Sequence, residues 1–128
     1  MADWNHVRQF ALALPETSEG ESRGNLEWRV KGKLFVWERP LRKADLEALG
    51  DRAPEGPVLG AMVGDLGEKE ALLAEDRAVF FTTPHFNGYA AILVRLERIP
   101  VEQLKPVVVE AWLARAPRRL SAQYLGSL

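Results

Sequence analysis

The sequence contains no cysteine and only two histidines among its 128 residues. Without cysteine it can form no disulfide, no thiolate nucleophile and no thiolate metal site. His6 and His85 lie far apart in the chain and belong to no HxxxH or HExxH pattern. His85 would become a ligand only if carboxylates converged on it, so we expect no metal and no cofactor.

Long apolar runs are also missing. Runs such as residues 59–63, which Gly60 breaks, are far shorter than the ~20 residues that span a bilayer. The first residues do not combine a basic segment with an apolar run, so we expect no secretory signal. These absences predict a soluble, cytoplasmic protein without membrane association.

Catalytic signatures are absent as well. Gly60, Gly64 and Gly67 precede Lys69, but their spacing matches neither GxxxxGK[ST] nor GxGxxG. No serine lies in a nucleophile-elbow motif, and no pair of carboxylates has a reason to titrate abnormally. The sequence therefore favours a binding protein over an enzyme.

Apolar residues make up 47% of the chain, which is enough to build the core of one domain over residues 1–128. The order of periodic segments predicts an α+β fold, with an antiparallel sheet built from hairpins and helices packed on it. Helical spacing marks residues 4–14, 44–49, 66–75, 106–115 and 118–124. Strand patterns mark residues 26–30, 34–37, 58–63, 78–82 and 89–96.

Three details of this prediction depend on weaker signals. Residues 16–24 are polar and turn-like, with room for a short edge strand. Residues 39–57 hold several prolines and glycines, so we expect a long surface connection that is the most mobile part of the chain. Pro106 is expected at the first position of its helix, because a proline inside a helix costs roughly 3 kcal/mol.

The clearest hairpin lies around Gly32, where polar and apolar residues alternate. A two-residue turn at 31–32 or at 32–33 would place Trp28 on the same face as Phe35 and Trp37. A three-residue loop would switch Trp28 to the opposite face. We expect a two-residue turn and an aromatic face that forms the core.

The net charge of −1 is not that of a dedicated nucleic-acid-binding domain, yet the charge is unevenly distributed. Residues 23–43 contain seven basic side chains against two acidic ones, and a second basic cluster spans residues 115–119. A basic β-ribbon can lie along a DNA groove, although such charges also keep an exposed hairpin soluble. The candidate nucleic-acid-binding residues are Arg23, Arg29, Lys31, Lys33, Arg118 and Arg119.

Five motifs in order resemble the MmcQ/YjbR-like family over nearly the whole chain. They are FALALPE (10–16), VKGKLF (30–35), GDLGEKE (64–70), FTTPHFNGY (81–89), and EAW with APRRL (110–112 and 116–120). The resemblance implies a fold similar to CyaY (frataxin-like) and to type III secretion chaperones. It also implies a proposed double-wing mode of DNA binding, with wings near residues 31–33 and 84–88.

The second implied wing contributes His85 and Asn87 but no lysine or arginine. DNA is thus one expected partner. The alternative is a protein-binding or chaperone-like module without catalytic activity, for which Leu34 and Val36 would supply exposed apolar surface. Frataxin-like metal binding ranks last, because the first helix has few acidic residues. The sequence specifies no oligomeric state.

Overall fold

A six-stranded antiparallel sheet forms the centre of the molecule, and the computed structural model describes residues 2–126. The strands are β1 (Thr17–Ser22), β2 (Asn25–Val30), β3 (Lys33–Glu38), β4 (Val58–Met62), β5 (Phe80–Phe81) and β6 (Ala91–Arg95). They are arranged in the order β1-β2-β3-β4-β6-β5, and each neighbouring pair is antiparallel. The predicted α+β fold is therefore confirmed.

Five helices accompany the sheet within the described residues. They are α1 (Trp4–Leu12), α2 (Lys43–Leu49), α3 (Leu66–Glu75), α4 (Val101–Arg115) and α5 (Arg118–Gly126). Asp3 and Asp65 cap α1 and α3, because each side chain accepts the backbone N–H of the residue three positions on. No helix among residues 2–126 has the length and apolar character needed to cross a membrane.

The two faces of the sheet are covered differently. Helices α1 and α4 pack on one face and bury the larger core, which includes Trp28, Phe35 and Trp112. On the other face a smaller cluster joins the β4–β6 half of the sheet to Leu49 of α2 and to Phe86. No helix of residues 2–126 covers the β1–β3 half of this second face, and the candidate site lies there.

The predicted hairpin forms with a two-residue turn at Lys31 and Gly32, because Val30 pairs directly with Lys33. Both turn residues have positive φ, at 50° and 82°. A turn with positive φ at both central residues matches the right-handed twist of the two flanking strands. Glycine is favoured at the second position, because it lacks the Cβ that makes positive φ costly.

The predicted aromatic face is only partly correct, because a β-bulge lies between Trp28 and Arg29. Trp28 pairs with Val36 and Arg29 pairs with Leu34, so Phe35 is an extra residue on its strand. Phe35 remains in the core with Trp28. Trp37 turns to the opposite face, where its ring lies 6.4 Å from that of Phe86.

Helix α4 begins earlier than the sequence predicts, with Pro106 inside it rather than at its start. Leu104, Val108 and Trp112 all lie on its buried face. One continuous helix buries this whole face, and the exposed Pro106 removes a single backbone hydrogen bond. Burial of Leu104 with the rest of the helix therefore outweighs the cost of the proline.

The segment from Arg39 to Pro57 runs over the surface, as its composition indicates, but it is anchored at three buried residues. It contains the predicted short helix α2, followed by a 3-10 turn over Gly50–Arg52. Arg39, Asp45 and Leu49 are all buried. The segment is thus packed against the second face of the sheet.

Strand lengths also differ from the prediction at both edges of the sheet. β1 is a full six-residue strand paired with β2 along its length, although its residues are almost all exposed. A polar, charged edge strand of this kind resists pairing with other chains. β5 has only two residues, and Pro84–Phe86 forms a 3-10 turn before β6.

Gly60 of β4 lies directly beneath Trp37, and this contact gives the first testable prediction. A Cβ at position 60 would lie 2.8 Å from Trp37 Nε1 and closer still to Cε2 and Cζ2. We expect Gly60→Ala to lower the free energy of unfolding by about 1–3 kcal/mol in urea denaturation, because the indole must move. Gly20→Ala is the control, since its Cβ would meet only Glu27 Cγ at 4.0 Å. Equal stability of the two variants would contradict the packing.

Candidate nucleic-acid interface

A groove runs along the β2–β3 hairpin on the half of the sheet that carries no helix. Strand alternation places Glu27, Arg29 and Leu34 on this face, the β-bulge turns Trp37 to join them, and these four residues form the floor. Arg23, in the turn between β1 and β2, lies at the opposite end of the hairpin from Arg29. The groove encloses about 730 Å³, within the range of small-molecule sites.

Two loops and the end of a helix form the walls. Residues 38–42 lie on one side, residues 85–89 on another, and Arg115 reaches in from the C-terminal end of α4. Tyr89 is 50% exposed on its wall. The groove therefore combines a flat floor with walls that carry both aromatic and cationic groups.

A buried ion pair anchors the first wall to α2. Arg39 Nη2 donates to Asp45 Oδ2 at 3.1 Å, and the two residues are only 6% and 4% exposed. The Arg39 guanidinium carbon also lies 5.3 Å from the centre of the Phe86 ring. Burial alone would raise the pKa of Asp45, but the Arg42 backbone N–H and the Arg39 charge outweigh burial and lower it.

A buried lysine fixes the second wall. Lys69 of α3 is 5% exposed, and its Nζ donates to the backbone carbonyls of Phe86 and, at 2.9 Å, Tyr89. Burial lowers the pKa of Lys69, because the charged ammonium is removed from water. The backbone of residues 86–89 is thereby held over the second face of the sheet.

The groove is rich in positive charge. Five arginines line it against two glutamates, namely Arg23, Arg29, Arg39, Arg42 and Arg115 against Glu27 and Glu38. Arg29 pairs with Glu27 and Arg39 pairs with Asp45. Glu38 accepts the backbone N–H of Leu26 at 3.0 Å.

Three of these arginines remain available to a ligand. Arg23, Arg42 and Arg115 enter no ion pair among residues 2–126. The Nε of Arg115 is shielded from solvent and has no hydrogen-bond partner within the described part of the chain. Unpaired guanidinium groups that converge on one cavity are suited to bind phosphate or carboxylate, often in a bidentate manner.

The structure brings four of the residues predicted from sequence together. Arg23, Arg29, His85 and Asn87 all line the groove. His85 and Asn87 are exposed, whereas Phe86 between them is buried in the smaller cluster and has its ring centre 4.9 Å from that of His85. No group of three or more histidine, aspartate or glutamate side chains in residues 2–126 is placed to hold a metal ion.

The other four predicted residues lie outside the groove lining. Lys31 and Lys33 are exposed at the hairpin tip, where Lys31 Nζ lies 3.7 Å from Glu16 Oε2. Arg118 and Arg119 are exposed at the start of α5. These residues can extend a binding surface but do not form the cavity.

Sequence reasoning missed Arg42, Arg115, Asn25 and Tyr89 as site residues. The density of arginine and lysine in residues 23–43 and 115–119 is the signal that could have indicated the two arginines. The structure also bears on the alternative prediction, in which Leu34 and Val36 supply an exposed apolar surface for a protein partner. Val36 is buried under the helices, and only the half-buried Leu34 faces the groove.

These features define an α+β protein in which helices cover one face of the sheet and the other face carries a groove lined by arginine side chains. A family model described as YjbR matches residues 12–114, so the chain belongs to the YjbR family, as its motifs indicate. The crystal structure of a Deinococcus radiodurans protein with a DUF419 domain is similar in fold, with a TM-score of 0.66. It is 18% identical, over 88% of this chain and 78% of that one.

Relatives at the sequence level come from mycobacteria. An uncharacterized protein of Mycobacterium bovis is 46% identical to the chain, over 99% of this chain and 98% of the relative. Uncharacterized proteins from two strains of Mycobacterium tuberculosis match to the same extent. The likeness therefore covers the whole described fold, including both walls of the groove.

The buried pair gives a prediction about stability and pH. Asp45→Asn leaves the Arg39 charge buried without its partner and should cost about 3–5 kcal/mol in chemical denaturation. Glu47→Gln, on the exposed side of the same helix, is the matched control and should be near neutral. A loss below about 1 kcal/mol in Asp45→Asn would show that the pair does not hold the wall.

The pH dependence has a definite sign. The pKa of Asp45 is lower in the folded protein, so its contribution is complete above the ordinary value of about 4 and is lost as the pH falls through the folded pKa. The stability difference between the wild type and Asp45→Asn should therefore shrink on acidification. A difference that grows at low pH would contradict this assignment.

Proposed function

We propose that the protein binds nucleic acid through this groove. The observation that carries the proposal is the convergence of Arg23, Arg42 and Arg115, none of them ion-paired within the described chain, around a floor whose charges are internally matched. Phosphates are the natural ligands for such guanidinium groups. The net charge of −1 does not oppose this, because a local positive cleft steers a polyanion even on a neutral protein.

The hairpin tip supports a footprint larger than the groove. Strands β3 and β6 both begin at the end of the sheet where β4 finishes, since Val36 of β3 pairs with Ala61 of β4 and Ala91 of β6 pairs with Met62 of β4. Lys33, the first residue of β3, therefore lies at this end. The turn at residues 31–32 and the connection over residues 82–90 therefore lie at one end of the sheet. Lys31 and Lys33 would contact phosphates that extend past the groove.

The groove favours binding over catalysis. Its two glutamates are both engaged as acceptors, Glu27 from Arg29 and Glu38 from a backbone N–H. Neither is free to act as a general base without losing its present partner. We therefore propose a binding protein in which the arginines contact phosphate and Asn25 and Asn87 offer amides to base edges.

The test is fluorescence anisotropy with labelled DNA, single-stranded and duplex, at low and at physiological salt. The double variant Arg42→Gln, Arg115→Gln should weaken binding and lower the slope of log affinity against log salt by about 2, because each phosphate contact releases roughly one counterion. The tip variant Lys31→Gln, Lys33→Gln should weaken binding less.

The matched control is Lys43→Gln with Lys105→Gln, which removes the same charge from exposed positions outside the groove. It should leave the affinity and the salt slope nearly unchanged. Equal losses in the groove and control pairs would show a non-specific charge effect. Absence of binding at low salt would overturn the proposal and direct attention to a protein partner docking near Leu34.

A further inference from the structure

Trp37 lies on the floor of the groove with its indole directly over Gly60 of β4. Gly60 permits this, because any side chain there would enter the space of the indole. Phe86 covers part of the ring from the wall at 6.4 Å between centres. Trp37 is only half-buried and lines the groove, so the indole surface left uncovered by β4 and Phe86 faces the cavity.

Charge is divided between the floor and the rim. On the floor, Arg29 is matched by Glu27, and both lie beside the apolar Leu34. At the rim, Arg23 and Arg42 are exposed and enter no ion pair among residues 2–126. This arrangement suits a ligand with a planar, uncharged part on the floor and an anionic part at the rim.

We infer that the groove binds an unpaired nucleotide, with its base stacked on Trp37 and its phosphate held by Arg42 and Arg115. This inference rests on the proposed function and specifies its substrate as single-stranded nucleic acid. A base within a duplex is covered on both faces by its neighbours and has no face to offer an indole. Stacking on an aromatic side chain is the common basis of single-strand binding.

The dimensions and the wall residues agree with this ligand. The cavity of about 730 Å³ is suited to one or two nucleotides and not to a double helix. Tyr89, half exposed on the wall with its ring centre 6.2 Å from that of Phe86, offers a second aromatic surface to the cavity. Arg115 lines the same cavity and is only partly buried, so its guanidinium group can contribute to phosphate binding there.

The test compares a short single strand, the matching duplex and a nucleoside monophosphate at physiological salt. We expect the single strand to bind roughly tenfold or more tightly than the duplex, and Trp37→Leu to lose roughly tenfold of that affinity. Trp37→Phe should retain most of the binding, because phenylalanine keeps an aromatic face. Trp4→Leu is the control, since Trp4 stacks on Trp28 on the helix-covered face.

A second readout separates stacking from folding. The single strand should quench tryptophan fluorescence in the wild type. The Trp37→Phe variant should still bind the single strand but lose most of this quenching.

The outcomes of the binding comparison separate the inference from the proposed function. Equal affinity for single strand and duplex, unchanged by Trp37→Leu, would overturn the inference but leave the proposed function intact. Failure to bind either form would overturn both. Equally tight binding of the monophosphate would support the stacked-nucleotide site and assign it to free nucleotides.

Discussion

The buried ion pair between Arg39 and Asp45 is the interaction on which the candidate site depends. It joins the segment after β3 to α2, and the cation lies over Phe86 of the opposite wall. An ion pair at this depth is weak evidence for stability, because desolvation opposes its attraction. Its geometry has a clear consequence, since it holds the Arg39 guanidinium over Phe86 and so fixes the first wall against the second.

The β-bulge in the hairpin is the second constraint. It inserts Phe35 into the core and turns Trp37 to the open face, where Gly60 receives the indole. Without the extra residue, the parity of the strand would place Trp37 under the helices with Trp28. The one extra residue, Phe35, thus fills the core on one side of β3 and places Trp37 on the floor of the groove on the other side.

The sequence predicted the elements well where the signals are local. The two-residue turn at Gly32 and the antiparallel sheet built from hairpins follow from residue type and spacing. The bulge could not be predicted, because residues 34–37 are all apolar. Without alternating polar and apolar residues, the sequence does not show which side chains face the core. The role of Lys69 was hidden for a similar reason, since a lysine in the first turns of a polar helix resembles a solvated surface residue.

The site was predicted only in part for a physical reason. Arg23, Arg29, His85 and Asn87 lie in the segments that the charge pattern and the family motifs mark. Arg115 lies some 90 residues further along the chain from Arg23 and reaches the groove only because α4 crosses the sheet. Such convergence depends on tertiary packing and leaves no trace in local spacing.

The most direct test of the account is an NMR titration of ¹⁵N-labelled protein with a single-stranded oligonucleotide, following the four tryptophan indole N–H signals. Trp28 and Trp112 donate their indole N–H groups inside the protein, to Glu19 and to the Pro15 carbonyl. The account predicts that the Trp37 signal shifts strongly, with those of Trp4, Trp28 and Trp112 nearly unchanged. An unchanged Trp37 signal, with shifts confined to the backbone of residues 31–33, would contradict the groove and favour the hairpin tip alone.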